Sequence, residues 1–480
     1  MRSSFISIVA KSALTLAGVA VVAAVTASCV SKDKSRGVAS VDDTPLTSHA
    51  AFADVPEKTK AAAMEILSHR MQSEREYRKT DPPGGPANLS GEPAVRRDTH
   101  AKTHACVKAD FQVNSDVPQE FRVGLFANPG ASYKAWIRFA NGLGQLKHDI
   151  AGDARAMSVK IMGVKGPKVL ADFSDEELFT QDIIMNNAPT FFLDNAEDSK
   201  AFFGAEASGA INKFFVTSLI NPVYPDGRKM VFNVLNSISK VEKNLLRASY
   251  WSVTPYSFGP DMKVKWVTNP CADRDYSVYR GLPDLNAAEK AYTSKMGVYY
   301  RQFSPLVKGN PDFPDMSYVR SGQFVAEAFR TLKLDDKYAS QFSPTTHDYL
   351  RDNIVADLGE GRSGCFDIGI QVYTDEKNTP IEKPTIVWKS KVQWLGQIKL
   401  PAQVGIASDE QIGFCENLSF NPWHALNEHK PLGELNTIRG MIYRGMSAHR
   451  HMANGKAGGE PLDTYDYRLV NQSEANDHYR

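Results

Sequence analysis

The distribution of strand-like and helical stretches constrains this chain most. Strand character fills residues 105–113, 133–140, 156–162 and 182–185, and returns at 249–268, 366–373 and 385–400. Helical character occupies 194–245, interrupted around Pro222 and Pro225, and then 322–332 and 349–358. Strands in runs, with helices gathered between the runs, imply an α+β fold: an antiparallel sheet or barrel with helices segregated around it. A further helix is predicted over 56–77, where Ala63, Ile66, Leu67 and Met71 form an apolar side. Proline and glycine make 80–93 a loop.

The N-terminus reads as a targeting segment, residues 1–29. Arg2 and Lys11 precede an apolar run that ends in Thr26, Ala27, Ser28 and Cys29. The run is too short and too alanine-rich for a membrane span. It resembles a bacterial lipoprotein signal with Cys29 as the lipidated residue, although Thr26 stands where leucine is usual. Plain cleavage and an uncleaved anchor are the alternatives, and all three place the protein in the cell envelope, in the periplasm or, as a lipoprotein, at the outer membrane. Residues 30–54 are small and polar and read as a tether. Residues 55–480 form the folded part, and 42% apolar content supports a real core. Net charge of +1, from 56 basic and 55 acidic residues, gives no support for a nucleic-acid partner, and none is expected. Cys106, Cys271, Cys365 and Cys415 contain no CxxC pair, which argues against zinc. Two disulfides are possible in an oxidising compartment, with three pairings open.

Four segments carry chemistry. A predicted helix over 435–452 places Arg439, Tyr443 and Arg450 on one face. Guanidinium groups beside a phenol favour the phenolate, a hard anionic ligand for ferric iron and one of the few protein ligands used for haem. A polar loop carries Arg97, Asp98, Thr99 and His100, and His104 follows. In the strand 133–140, Arg138 sits among apolar neighbours and needs an anionic partner. The last segment holds Asp153 and Arg155, then Thr180 and the run Asn186, Asn187, Ala188, Pro189, Thr190, Phe191, Phe192. Glu416 and the turn Phe420-Asn421-Pro422-Trp423 precede the C-terminal helix. His148, His424, His449 and His451 show no metal-ligand spacing.

In this order the segments resemble the haem catalase family, over roughly 90–200 and 365–452, and most of all its short bacterial catalase-related members. The resemblance implies a catalase-like antiparallel β-barrel core that binds haem b. It implies Tyr443 as the iron ligand and Arg439 as the group holding its phenolate. His100 would move a proton between the peroxide oxygens. Arg97, Arg138 and Arg450 would hold the haem propionates, and Phe192 would lie against the haem face. Thr99 stands where catalases usually have valine, and a Thr-His pair is similar to that of allene oxide synthases. Counting back from the Asn-Asn run places Thr180 where a distal asparagine is expected. On that reading disproportionation of hydrogen peroxide is weak, and the chain is a peroxidase-like enzyme of peroxide or organic hydroperoxides with an unidentified electron donor. A lipid-hydroperoxide rearranging or cleaving enzyme, and a haem-binding envelope protein without turnover, are the alternatives.

Overall fold

A computed structural model describes residues 46–79, 94–147, 149, 153–170, 178–211, 242, 244–271 and 348–454. The signal segment, Cys29, the 80–93 loop and the 322–332 helix lie outside the described residues.

Among the described residues, nine antiparallel strands form one sheet: β1 Thr103–Val113, β2 Ser132–Asn141, β3 Arg155–Met162, β4 Thr180–Asn186, β5 Tyr250–Trp251, β6 Tyr256–Phe258, β7 Met262–Pro270, β8 Gly364–Val372 and β9 Val392–Leu400. The order is β5-β4-β3-β2-β1-β9-β8-β7-β6, and a β5–β7 pairing closes eight of the strands into a barrel, with β6 appended to β7. This is the α+β barrel that the strand pattern implies. The long 249–268 segment is broken into β5, β6 and β7 around Pro255 and Gly259, where proline lacks an N–H for the ladder and the glycine adopts φ +70°. Residues 385–391 are not strand. Thr385 instead hydrogen-bonds the Asp194 carboxylate, and the Trp388 indole donates to Pro380 O.

Period-two alternation sorts each strand between two environments. Ala105, Val107, Ala109 and Phe111 of β1, Ile137 and Phe139 of β2, Val159 of β3 and Trp266 of β7 fill the barrel with one apolar cluster. The intervening residues, Cys106, Trp136, Met162 and Ile184, face outward and pack with Phe414, Cys415, Leu418 and Phe420. Helices α1 Glu57–Arg78, α2 Ala196–Ala207 and α5 Glu434–Ala453 pack on one another, and α5 brings Tyr443 against that outer cluster. Helices α3 Tyr349–Gly359 and α4 Asp409–Asn417 lie against β1. The apolar side expected of α1 is buried, with Ala63, Ile66 and Leu67 against Leu435, Ile438 and Ile442 of α5. The tether ends earlier than residue 54: Leu46 and Phe52 are buried, and Phe52 packs on Trp423 with ring centroids 4.8 Å apart. Two disulfides, Cys106–Cys415 and Cys271–Cys365, resolve the pairing that the sequence leaves open.

Candidate active site

Helix α5 begins after Gly433 and buries Leu435, Ile438, Met441, Ile442 and Met446 toward α1. Glycine at 440 allows its tight contact with Trp423, since a Cβ there would lie 2.6 Å from the indole. Arg439 and Tyr443 share the adjacent edge, one turn apart, with the guanidinium 5.3 Å from the phenol ring centroid. Arg439 also donates to Thr254 Oγ1 at 2.7 Å and Asn436 Oδ1 at 3.0 Å. Burial opposes its charge, but the phenols of Tyr443 and then Tyr256 outweigh burial and raise its pKa. Thr254 follows Val253, whose φ of +57° is an outlier for a β-branched residue. Tyr443 itself is half-buried between the outer barrel face and the helices.

Arg97, Arg138 and Arg450 come together around the Cys415–Leu418 segment. Arg97 donates to Cys415 O at 3.0 Å and also to Leu418 O, which accepts from Arg450 at 3.3 Å. Arg138 donates to Glu416 Oε1 from Nε at 3.0 Å and from Nη2 at 2.7 Å, and Arg97 Nε lies 3.5 Å from Glu416 Oε2. Thr103, re-aimed by a bulge at the start of β1, donates to the same carboxylate. Burial alone would raise the Glu416 pKa, but Arg138 and then Arg97 hold it down to about 2. The Cys106–Cys415 bridge fastens this segment to β1. Glu416 is the residue whose role in the cluster only the fold discloses, because 278 positions separate it from Arg138.

His100 adopts φ +57°, a left-handed conformation that is costly for a residue with a Cβ. Its N–H donates to Gly142 O at 2.9 Å, and its carbonyl accepts from Arg138. Its Nδ1 lies 2.9 Å from Asn141 O. A carbonyl only accepts, so Nδ1 carries the hydrogen and Nε2 keeps a lone pair. Burial, followed by the Arg138 charge, lowers the imidazole pKa to about 3. Behind it, Asn141 Oδ1 accepts from Arg155 at 2.7 Å and lies 2.7 Å from His104 Nε2.

The structure does not bring Thr180 to His100. Thr180 opens β4 opposite Met162. The end of the barrel near His100 is defined by Asn141, which pairs with Arg155, and by Ala156, which pairs with Asn186. Asn186 lies six residues beyond Thr180, about 20 Å at the usual strand rise. Its Oδ1 is buried and has no hydrogen-bond partner among the described residues. Asn141 and Asn187 direct their amide oxygens to Arg155, so the amide oxygen left at this end is that of Asn186, and counting back along the sequence points to the wrong end of β4. Thr99 is engaged elsewhere, its Oγ1 2.6 Å from Arg70 Nη2. Phe192 belongs to a half-buried aromatic series, 4.5 Å from Phe191 and 4.8 Å from Phe202.

These residues fit a haem. A phenol buttressed by a guanidinium would supply an iron ligand, and Asn186 Oδ1 and His100 Nε2 offer two acceptors at one barrel end. Arg97, Arg138 and Arg450 gather three guanidinium groups about the Cys415–Leu418 segment, a basic cluster that suits a ligand bringing carboxylates of its own. No protein-family model matches the sequence, and no curated protein matches it. Among solved structures, the chain is similar to a fungal catalase, with 14% identity over 82% of this chain and 67% of that one, at a TM-score of 0.48. It is also similar to catalase A from Saccharomyces cerevisiae, with 13% identity over 77% and 63% and a TM-score of 0.47. It thus spans about two thirds of the length of these structures, and at such identity the likeness is one of fold.

Proposed function

We propose that this protein is a haem-dependent enzyme that consumes hydroperoxides at the cell envelope. The arrangement that carries the reading is His100, held neutral in a strained backbone with Nε2 available, on the same outer side of the barrel as the Arg439–Tyr443 pair. Tyr443 would ligate the iron as phenolate, with Arg439 holding its charge. Arg97, Arg138 and Arg450 would bind the propionates. Bound there, the haem would supply the electrons that break the O–O bond. His100 Nε2 takes the proton from one peroxide oxygen and delivers it to the other, which leaves as water or alcohol. Its lowered pKa keeps the base unprotonated before the step and makes the imidazolium a ready donor afterwards. Asn186 Oδ1 accepts a hydrogen bond from the peroxide O–H and orients it.

The expectation of weak disproportionation rested on Thr180, and with an amide at Asn186 that reason is removed. The half-buried phenylalanines around Phe192 favour an organic hydroperoxide as a second substrate class, with peroxidase turnover against an organic donor. Two disulfides support an oxidising compartment, in keeping with a lipid-anchored Cys29 facing the periplasm. Mass spectrometry of the mature N-terminus tests that placement, and an unmodified or removed Cys29 would reject the anchor. The functional test is a visible spectrum of the purified protein, followed by assays with hydrogen peroxide and a fatty-acid hydroperoxide, with and without an organic donor. A Soret band lost in Tyr443→Phe and turnover lost in His100→Ala are expected. Absence of a Soret band from protein purified and reconstituted with haem would overturn the reading.

A further inference from the structure

Helix α1 reads from sequence as an amphipathic packing helix, yet its inner edge turns polar toward its C-terminal end. Arg70, Ser73 and Glu74 are buried there beside the apolar residues. All the named contacts of Arg70 lead to one segment and one ring. Its Nε donates to the Asp98 carboxylate and its Nη2 to Thr99 Oγ1 at 2.6 Å, while the guanidinium lies 4.2 Å over Phe203 of α2. Glu74, one turn on, accepts from Arg96 N at 3.1 Å. Asn454, at the far end of α5, exchanges two 2.8 Å hydrogen bonds with the Val95 backbone. Tyr77 packs where a side chain at Gly144 would collide, and its hydroxyl donates to Glu206 at 2.8 Å.

The segment Val95–Thr99 therefore has no regular structure of its own and is fixed residue by residue from the helices. His100 comes next, and the barrel takes over: Gly142 O, Asn141 O and Arg138 hold its N–H, its ring and its carbonyl. A residue with φ +57° persists only where its surroundings over-determine it, and the restraints on either side of His100 come from different parts of the fold. Arg70 supplies two of them at the adjacent residues. Its planar fork reaches a carboxylate and a hydroxyl on consecutive residues, which the single nitrogen of lysine cannot do in the same geometry.

We infer that Arg70 is a positioning residue for His100, acting through Asp98 and Thr99, so that helix α1 is part of the catalytic apparatus and not only of the core. The inference rests on the proposed role of His100, and its test includes a readout that does not. In the full-length protein, Thr99→Val removes one hydrogen bond at constant shape, Arg70→Lys keeps the charge without the fork, and Arg70→Met removes both. Without haem, amide hydrogen exchange over residues 96–102 should quicken at least tenfold in Arg70→Met and less in the other two, while β2 and α5 keep wild-type protection. With haem bound, kcat for hydroperoxide should fall about 10- to 100-fold in Arg70→Met at unchanged KM and unchanged Soret absorbance, with Arg70→Lys recovering part of the loss. Wild-type exchange over 96–102 together with wild-type kcat in Thr99→Val and Arg70→Lys would overturn it, whether or not Arg70→Met folds. If the wild-type protein turns over no hydroperoxide, the functional reading fails, and unchanged exchange in these variants would then reject the positioning role on its own.

Discussion

Adjacent residues of β2 meet opposite conditions. Ile137 and Phe139 point into a barrel filled with apolar side chains, whereas Arg138 between them points outward and is equally buried. Inside the barrel, burial stabilises the fold directly, at roughly 25 cal/mol per Å² of apolar surface. Outside, the same burial acts against folding, because Arg70, Arg138, Arg450 and Lys160 must each be compensated by a partner in place. Lys160 has Asp182 at 2.9 Å, and Asp182 also receives His424 at 3.0 Å. A chain selected for stability alone would not concentrate charge there. The inner face accounts for why the barrel forms, and the outer face holds the residues of the proposed site.

Removing the largest interior side chain should have the largest effect. Trp266 is fully buried among Phe126, Phe258 and His429. Trp266→Ala should cost about 3–5 kcal/mol of unfolding free energy in denaturant titrations, a large part of a typical 5–15 kcal/mol total. Haem affinity per folded molecule should stay unchanged.

The two disulfides divide along the same line. Each removal should cost about 2–4 kcal/mol, since both constrain the unfolded chain. Cys106–Cys415 also fastens α4 and Glu416 to the outer face, so its double alanine variant should bind haem more weakly. Cys271–Cys365 joins the ends of β7 and β8, strands already paired with each other, and its loss should leave haem binding alone. Equal haem affinity in the two variants would erase the distinction.

How far the sequence discloses these two faces follows from the range of each interaction. Period-two alternation is local, so β1 to β4 are legible in the sequence, as is the helix carrying Arg439, Tyr443 and Arg450. Register is not local. Residues 180 and 186 are equivalent in parity, and only the pairing of Ala156 with Asn186 tells which one lies near His100. Glu416 and Arg70 were invisible in their roles for the same reason: their partners stand hundreds and tens of positions away. The 385–391 stretch has strand composition, but Asp194 and Pro380 capture its side chains first.

Glu416 tests whether compensation on the outer face is as tight as the geometry indicates. Glu416→Gln leaves Arg138 and Arg97 without their carboxylate and should cost about 2 kcal/mol at neutral pH. The folded pKa is depressed to about 2 from 4.5, so this contribution is fully present above 4.5 and disappears as pH falls toward 2. Wild type and variant should therefore converge in stability on acidification. Haem should narrow the gap at neutral pH, because its carboxylates would replace the missing one. Thermal melts with and without haem across that range decide it.

One buried histidine lies on each side of the wall. His429, inside, accepts from Leu125 N at 3.0 Å, and burial lowers its pKa to about 3. His104, outside, has its pKa lowered to about 4, burial again outweighing Asp149. Both are neutral when folded and charged when unfolded below 6.5. Their contribution is complete above pH 6.5 and is lost as pH falls toward the folded values, on the order of 1.4 kcal/mol per pH unit each. His429→Gln should flatten the acid limb of the stability–pH curve by about one proton. An unchanged slope would show that this histidine is charged in the folded protein.

The smallest effect belongs to Thr180. It shares the outer face with Asp182 and Asn186, yet it opens β4 at the opposite end from His100, with its carbonyl holding Lys168 Nζ at 2.7 Å. Thr180→Ser removes one methyl group from a fully buried position, a loss of about 0.8 kcal/mol. Turnover with hydrogen peroxide or an organic hydroperoxide should not change, because no reacting atom comes within reach of that hydroxyl. Asn186→Leu, similar in volume but without the amide, should instead lower turnover about 10- to 100-fold at unchanged haem content. Steady-state rates for the two variants are a direct comparison of two residues of equal parity on one strand. If Thr180→Ser were the more damaging, the reacting end of the barrel would be the one near Met162, and His100 would lose its place in the mechanism.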